Sequence, residues 1–408
     1  MSEWKECKLG ELIVDKSADL QTGPFGTMLN ATEYTIEGTP VIAVQDIGEN
    51  RLVYHKFVFV NDSTAQRLSR YRVKENDIIF GRKGAVERRA LIKKKEEGWL
   101  QGSDCIRLRF SDSVDPKFAS YQFGTKYYQE WMFQNAGGAT MPSLNQSVLK
   151  ELPIRFPDII EQIAIASVLS SLDDKIDLLH RQNATLEAMA ETLFRQWFVE
   201  ETKDDWEEVS LKEFISIKHG YAFKGNYIST EPTHLILVTP GNFRIGGGFK
   251  FDKFKYYTSE DFPKDYIFKA GDLIVTMTDL SVDGNTLGYP AFVPENYSNE
   301  VYLHNQRVGK VEFKNEIGKY FLHQLMKTDD YQWFVLGGAS GTAIRHTSPT
   351  SICNYSFRMP PKSKILEFET FVNGLEAKNK KNQIQIRILT ALRDTLLPKL
   401  MSGEVRVD

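Results

Sequence analysis

The chain has 408 residues, 41% hydrophobic and 26% charged, the composition of an ordinary folded protein with room for two or three domains that each bury a core. A net charge of −3 excludes a simple DNA-coating protein, which would be strongly basic, yet leaves room for local basic patches. No run of about 18 apolar residues suggests a membrane span, no apolar N-terminal stretch suggests a signal peptide, and the scattered Cys7, Cys105 and Cys353 predict reduced thiols in a cytoplasm, with no zinc spacing among cysteines or histidines.

In chain order, a first globular unit is expected from about Met1 to Phe156. Apolar segments at 39–44, 57–60, 77–80 and 106–110 read as strands, and 115–134 reads as helical. Pro157 then precedes a stretch from Asp158 to Glu200 that lacks proline and glycine. Asp158 with Glu161 forms a capping-box-like start. Ile165, Leu172, Leu179, Leu186 and Leu193 recur every seven residues, each followed four residues later by Leu169, Ile176, Asn183, Ala190 and Trp197. This heptad seam predicts a helix of ~40 residues, ~60 Å long.

A second unit from about Asp205 to Met359 carries strands at 235–238, 272–275 and 307–311. A second long helix is expected after Pro360-Pro361, its seam running through Leu375, Leu389 and Leu396, with Pro398 and Gly403 ending it. Each helix is too apolar on one face to stand alone, so the two are expected to pack together. Asn183, and Asn379 on the second helix, would then fix register at some cost in stability.

The chain is built twice. Trp4-Lys5-Glu6 returns as Trp206-Glu207-Glu208, Asp77-Ile78-Ile79-Phe80 as Asp272-Leu273-Ile274-Val275, and Gly137-Gly138-Ala139 as Gly337-Gly338-Ala339, at an offset near 200 residues. That excludes short solenoid repeats and predicts a pseudo-twofold molecule suited to double-stranded DNA read as two half-sites.

Phosphate contacts come from Lys, Arg and loop amides, and base reading from Arg, Lys, Asn, Gln, His, Ser and Thr. In the first unit these types gather at Gln21, Thr22 and Phe25, at Arg82, Lys83, Arg88 and Arg89, and at Ser143, Asn145 and Gln146. In the second they gather at Lys218, His219, Tyr221 and Lys224, at Arg244 and Lys250, at Thr276 and Thr278, and at Thr342, Arg345 and His346. A charge run is more often only a solvated face.

Catalytic signals are missing. No Asn/Asp-Pro-Pro-aromatic loop holds a flipped adenine, and Gly220 to Asn226 lacks the lysine of a phosphate-cradling loop. Asp158 and Asp173, the makings of a metal nuclease, sit roughly 22 Å apart on one helix and cannot meet.

Several motifs together resemble the specificity subunit of type I restriction–modification systems. They are Leu152-Pro153-Ile154-Arg155-Phe156-Pro157 leading to Glu161-Gln162-Ile163-Ala164, then Leu172-Asp173-Asp174-Lys175-Ile176, and the C-terminal Leu396-Leu397-Pro398-Lys399-Leu400-Met401-Ser402-Gly403. The loops Gln21 to Gly26 and Lys218 to Phe223 resemble the starts of that family's two target-recognition domains. The second helix start, Pro360-Pro361-Lys362-Ser363-Lys364-Ile365, lacks the glutamine of the first.

The resemblance implies an α+β fold: two mixed α/β target-recognition domains joined by two long antiparallel coiled-coil helices, with an internal pseudo-twofold repeat. The expected boundaries are 1–157 and 205–361 for the recognition domains, and 158–204 and 362–408 for the spacer helices. It implies a non-catalytic cytoplasmic chain that reads a bipartite double-stranded site. Its partners would be two DNA methyltransferase subunits and the restriction/translocase subunits. No cofactor or metal is expected on this chain; the partner subunits would use S-adenosylmethionine, ATP and Mg2+. The competing reading is a stand-alone architectural coiled-coil protein that binds DNA without a methyltransferase partner.

Overall fold

The structure is a computed structural model describing residues 4–54, 57–138, 140–279, 286–296, 299–341 and 344–407. It divides into two compact units, Met1–Ile176 with Ile388–Asp408, and Asp177–Arg387.

In the first unit, four antiparallel strands lie in the order Ala18–Thr22, Cys105–Phe110, Ile78–Gly81, Arg89–Leu91. A second sheet orders Tyr34–Thr35, Val58–Val60, Thr39–Ile42 and Leu100–Gln101, the last pair parallel. A two-stranded ribbon, Lys5–Lys8 with Pro153–Phe156, closes the unit and feeds the first long helix. The segment expected as one helix at 115–134 is two, Pro116–Phe123 and Lys126–Asn135. They break at Gly124, where a Cβ would lie 2.0 Å from Arg89 Nη2.

The second unit repeats this plan strand for strand. Ile215–His219, Val308–Phe313, Leu273–Thr276 and Pro290–Phe292 form one sheet. Ile228–Ser229, Lys255–Tyr257, Leu235–Val238 and Val301–His304 form the other, again with one parallel pair. Glu208–Ser210 pairs with Ser356–Arg358 as the closing ribbon.

The repeated Asp-hydrophobic motif has a structural cause. Asp77 is fully buried, accepts from Arg109 Nε at 2.6 Å and Nη2 at 2.7 Å, and holds the preceding turn through Lys74 N at 2.7 Å. Asp272 repeats both tasks with Lys310 Nζ at 2.6 Å and Lys269 N at 2.8 Å. Each strand therefore starts from a carboxylate that fixes its own turn and pins the neighbouring strand.

The central long helix spans Ile159–Arg195 and passes into a π-helical turn at Gln196–Glu200. Asp158 Oδ1 accepts from Glu161 N at 3.0 Å, the expected cap. Buried Gln162 donates to Pro157 O and accepts from Asp115 N at 2.8 Å, tying the helix start to the first unit. The second copy does without that glutamine. Ile365 is buried in the core there, and Glu369 accepts from Tyr320 N at 2.8 Å and Phe321 N at 2.7 Å.

The seam holds through Ile165, Leu169, Ile176, Leu179, Asn183 and Ala190, all buried, with Leu172 and Leu186 half-buried. It then shifts by one position: Phe194 and Phe198 enter the core, while Leu193 and Trp197 stay half-buried. A straight helix of 3.6 residues per turn drifts off a seven-residue repeat, and the π-helical turn adds to the shift.

The C-terminal helix spans Lys362–Ser402 and continues through Pro398, which was expected to end it. A helical proline costs about 3 kcal/mol. Leu400 and Met401 are buried in the first unit's core, with Leu396 and Leu397 packed against it, and at about 1.5–3 kcal/mol per buried side chain that outweighs the lost bond.

Within each unit the helix segments run antiparallel. Asp173 meets Arg393 at 2.8 Å in the first, and Asn183 meets Asn382 at 2.8 Å in the second, where Glu187 also faces Asn379.

The second unit is expected to be acid-labile. Burial pulls His304 down to about 4 and His323 to about 3. His304 lies against Phe268 and Val308 O; His323 stacks on Phe292. Below pH 6.5 the unfolded chain binds protons that the folded chain refuses. Stability is therefore full above pH 6.5 and falls as pH drops towards 4, by up to about 1.4 kcal/mol per pH unit for each histidine. Urea titrations from pH 7.5 to 5 should show that slope, and His323→Phe should flatten it. Equal slopes in the two proteins would assign the effect elsewhere.

Candidate nucleic-acid interface

Sheet order decides which loops meet. In the first unit, the end of Ala18–Thr22, the start of Cys105–Phe110 and the end of Ile78–Gly81 lie at one edge, since Thr22 faces Ile106 and Gly81 faces Cys105. The loops leaving that edge hold Gln21, Thr22 and Phe25, then Asp104, then Arg82 and Lys83. The loop after Gly138 folds back onto them. Gly84 N donates to Pro142 O at 2.9 Å, Leu144 N donates to Arg82 O at 2.8 Å, and Gln146 Nε2 donates to Thr22 Oγ1 at 3.0 Å. Three clusters far apart in sequence thus form one surface.

Asp104 sets the charge there. Its Oδ1 accepts from Arg82 Nη2 at 2.9 Å, and Lys83 Nζ lies 3.5 Å away. A cleft of about 650 Å³ opens where the loop after Ala18–Thr22 meets Gln146, lined by Gln21, Thr22, Phe25, Gln146, Arg70 and Tyr71, among others. Phe25 is 59% exposed. Arg70 lies 4.9 Å from the Tyr71 ring centre. Sequence reading missed Arg70, Tyr71 and Asp104, because only the fold carries them to this edge.

The second unit gathers the equivalent edge. His219 faces Gly309, Thr276 faces Val308, and Met277 N donates to Arg307 O at 3.0 Å. Tyr221 N donates to His304 O at 2.8 Å. Arg345 and His346 pair as a short strand with Asp279 and Thr278, and Thr278 Oγ1 lies 3.0 Å from His346 Nδ1. Gln306 and Arg307, exposed at the same edge, were also missed. The repeat marks them, since Arg307 is the counterpart of Asp104 when Cys105–Phe110 is laid on Val308–Phe313. One unit thus has an acid where the other has a base.

The glycines of the two opening loops are steric necessities. A Cβ on Gly23 would lie 1.9 Å from Gly102 O, and one on Gly220 would lie 2.1 Å from Asn305 O. In both units the chain leaving the first strand passes against the chain entering its neighbour, and only glycine fits.

Several expected contact residues have other work. Arg89 is buried in a strand, donates to Ser120 O, and is pulled down to about 10 by that burial. Thr276 is fully buried and bonds Thr286 O. Thr278 is buried against His346. Arg244 Nη2 binds Glu187 at 2.8 Å on the central helix. Asn145 Oδ1 caps the helix Gln146–Lys150 through Val148 N at 2.9 Å. Burial takes Arg89, Thr276 and Thr278 off the solvent-facing surface expected of DNA contacts, whereas Arg244 and Asn145 stay exposed alongside these bonds.

Arg88 and Lys224 remain exposed, Lys250 pairs with Asp252 at 3.3 Å, and Lys218 lies 5.0 Å from the Tyr266 ring. Thr342 lies outside the described residues.

The repeat alignment of the last loop also changes. The tight turns form at Gly138 and Gly341, with φ of +100° and +94°, and the bridges Gly137–Ser143 and Ser340–His346 correspond. Ser143 is thus the counterpart of His346. Gly338, which the motif had matched to Gly138, belongs to the end of the preceding helix.

Asp158 and Asp173, rejected on sequence as nuclease carboxylates, are committed to structure. Asp158 caps the central helix, and Asp173 accepts from Arg393 and from Tyr121 Oη at 2.6 Å. Among the described residues, no group of three His, Cys, Asp or Glu is placed to hold a metal ion. Among them also, no helix is long and apolar enough to cross a membrane.

A duplicated α/β reader, each copy closed by a ribbon and continued into a long helix, with polar loops gathered at one sheet edge, is the architecture of a DNA-specificity subunit. The chain belongs to the family of the type I restriction modification DNA specificity domain, whose profile matches residues 1–188 and 203–392. It is 28% identical to the type I restriction enzyme MjaIX specificity subunit of Methanocaldococcus jannaschii, over 73% of this chain and 71% of the relative. It is 21% identical to the HindI specificity subunit of Haemophilus influenzae, over 99% and 100% of the two chains. The crystal structure of a type-I restriction-modification system S subunit from M. genitalium shares the fold, with a TM-score of 0.60 and 19% identity over 97% of this chain and 96% of that one. The chain is a specificity subunit of a type I restriction–modification system, and its role is recognition of DNA sequence.

Proposed function

We propose that each unit reads one half of a bipartite double-stranded site, and that the chain carries no catalysis of its own. The observation that carries this reading is the equivalent sheet edge in both units, polar in each but chemically different: Asp104, Arg82, Ser143 and Gln146 in one, Arg307, His219, Arg345 and His346 in the other. Like backbones with unlike side chains suit two half-sites of different sequence.

The chain also scaffolds two methyltransferase subunits together with restriction/translocase subunits. Those partners supply S-adenosylmethionine, ATP and Mg2+. Repeat-equivalent exposed residues support two copies of one partner: Ile163 and Leu366 are 53% and 64% exposed, Met189 and Leu392 45% and 44%. Family membership weighs against a stand-alone architectural protein.

The purified chain should neither transfer methyl groups nor cleave DNA, and should gain methyl transfer when the methyltransferase subunits are added. Tritiated S-adenosylmethionine incorporation into DNA measures both. Transfer persisting through complete removal of partner subunits would refute the non-catalytic reading.

A further inference from the structure

A polar layer interrupts the helix seam in the second unit. Asn382 Nδ2 donates to Asn183 Oδ1 at 2.8 Å, with the two residues 1% and 8% exposed. Further along, Asn379, also buried, faces Glu187 Oε1 at 3.5 Å. Sequence had offered Asn379 as the second helix's register residue; the direct amide partner of Asn183 is Asn382 instead.

The layer breaks the internal repeat. The two helices align as Leu172 on Leu375, Leu186 on Leu389 and Leu193 on Leu396. In that alignment the counterpart of Asn183 is Ile386, and the counterpart of Asn382 is Leu179. Leucine seams by themselves are interchangeable, so two copies of the central helix should also pair with each other in the same antiparallel register. Asn183 would then face Leu179 of the other copy. In a pair of C-terminal helices, Asn382 would face Ile386. Either way a buried amide loses its partner, a cost with no compensating bond. A polar residue in an apolar seam is an effective means of choosing register and partner.

We propose that the Asn183–Asn382 pair is a pairing-specificity device: it admits the central helix with the C-terminal helix and rejects like-with-like pairing between two copies of the chain. Like-with-like pairing would join two copies of the same reader, so the device keeps one reader of each kind together. The inference rests on the register and the duplication, and it stands or falls independently of how DNA is read.

The test uses the full chain with Gln182→Cys and Cys7→Ser. Position 182 lies where two central helices would cross, so a 182–182 disulfide forms only in like-with-like pairs. The parent should run as a monomer by light scattering and form almost no 182–182 disulfide. Asn183→Leu with Asn382→Leu, apolar and of similar size, should raise the cross-linked dimer at least ten-fold. Adding Leu179→Asn and Ile386→Asn moves the polar pair to the repeat-equivalent place and should return the dimer to the parent level. The proposal is overturned if the double leucine variant cross-links no more than the parent, if the parent already cross-links as much, or if the relocated pair fails to suppress the dimer.

Discussion

Exchanging Arg345 and His346 for alanine should relax recognition at one half of the methylated site and leave the other half unchanged. The two residues sit on a short strand held against Thr278 and Asp279 at the loop-bearing sheet edge of the second unit, while the first unit keeps its own edge at Arg82, Ser143 and Gln146. A good side-chain contact to a base edge contributes about 1–3 kcal/mol of discrimination, so affected positions should accept wrong bases about ten- to a hundred-fold more readily. Substituting Ser143 and Gln146 should do the same to the opposite half. Methylation sequencing after expression with the methyltransferase subunits reads both outcomes. A change in both halves from one set of substitutions would show that the edges do not read separately.

Asp77→Ala should destabilise the first unit by on the order of 3 kcal/mol, the range for removing one partner of a buried ion pair and a turn bond together. Asp77 is fully buried, and its three hydrogen bonds join the turn at Lys74 to Arg109 on the adjacent strand. For a unit of this size that is a fall of roughly 10 °C in unfolding midpoint. Asp272→Ala should cost less, because Asp272 and Lys310 both retain contact with water, their side chains 17% and 24% exposed. Scanning calorimetry of the two full-length variants compares them. Equal shifts, or no shift for Asp77→Ala, would remove the carboxylate from the account of why this motif recurs.

The duplication, the principal strands and both long helices were legible in the sequence, because apolar periodicity and the absence of proline and glycine act locally. The gathering of loops was legible only in part. Repeated position pointed to the loops after the first strand and after the glycine turn, and the fold brings them together. Arg89 misled because a charge in a basic run reads as surface, whereas this guanidinium is buried and bonded to the Ser120 carbonyl. Asn145 has a second role that its neighbours in sequence do not announce: its side-chain oxygen caps the following helix, which needs the helix boundary to be known. Asp104, Arg307 and Arg70 gave no local signal, since strand pairing brings the first two to the edge and the fold brings the turn holding Arg70 against the Gln21 to Phe25 loop. Asn382 was hidden for a related reason: the helix period brings it to the seam, but only the antiparallel register selects it over Asn379 as the amide partner of Asn183.

If each unit reads one half-site, as proposed, this chain assigns one bipartite sequence to its complex. Genome-wide methylation mapping of cells with and without the gene, the methyltransferase gene being kept in both, tests it most directly. One interrupted, asymmetric motif should be methylated only when the gene is present. An unchanged methylation pattern, or loss of a single uninterrupted motif, would contradict it.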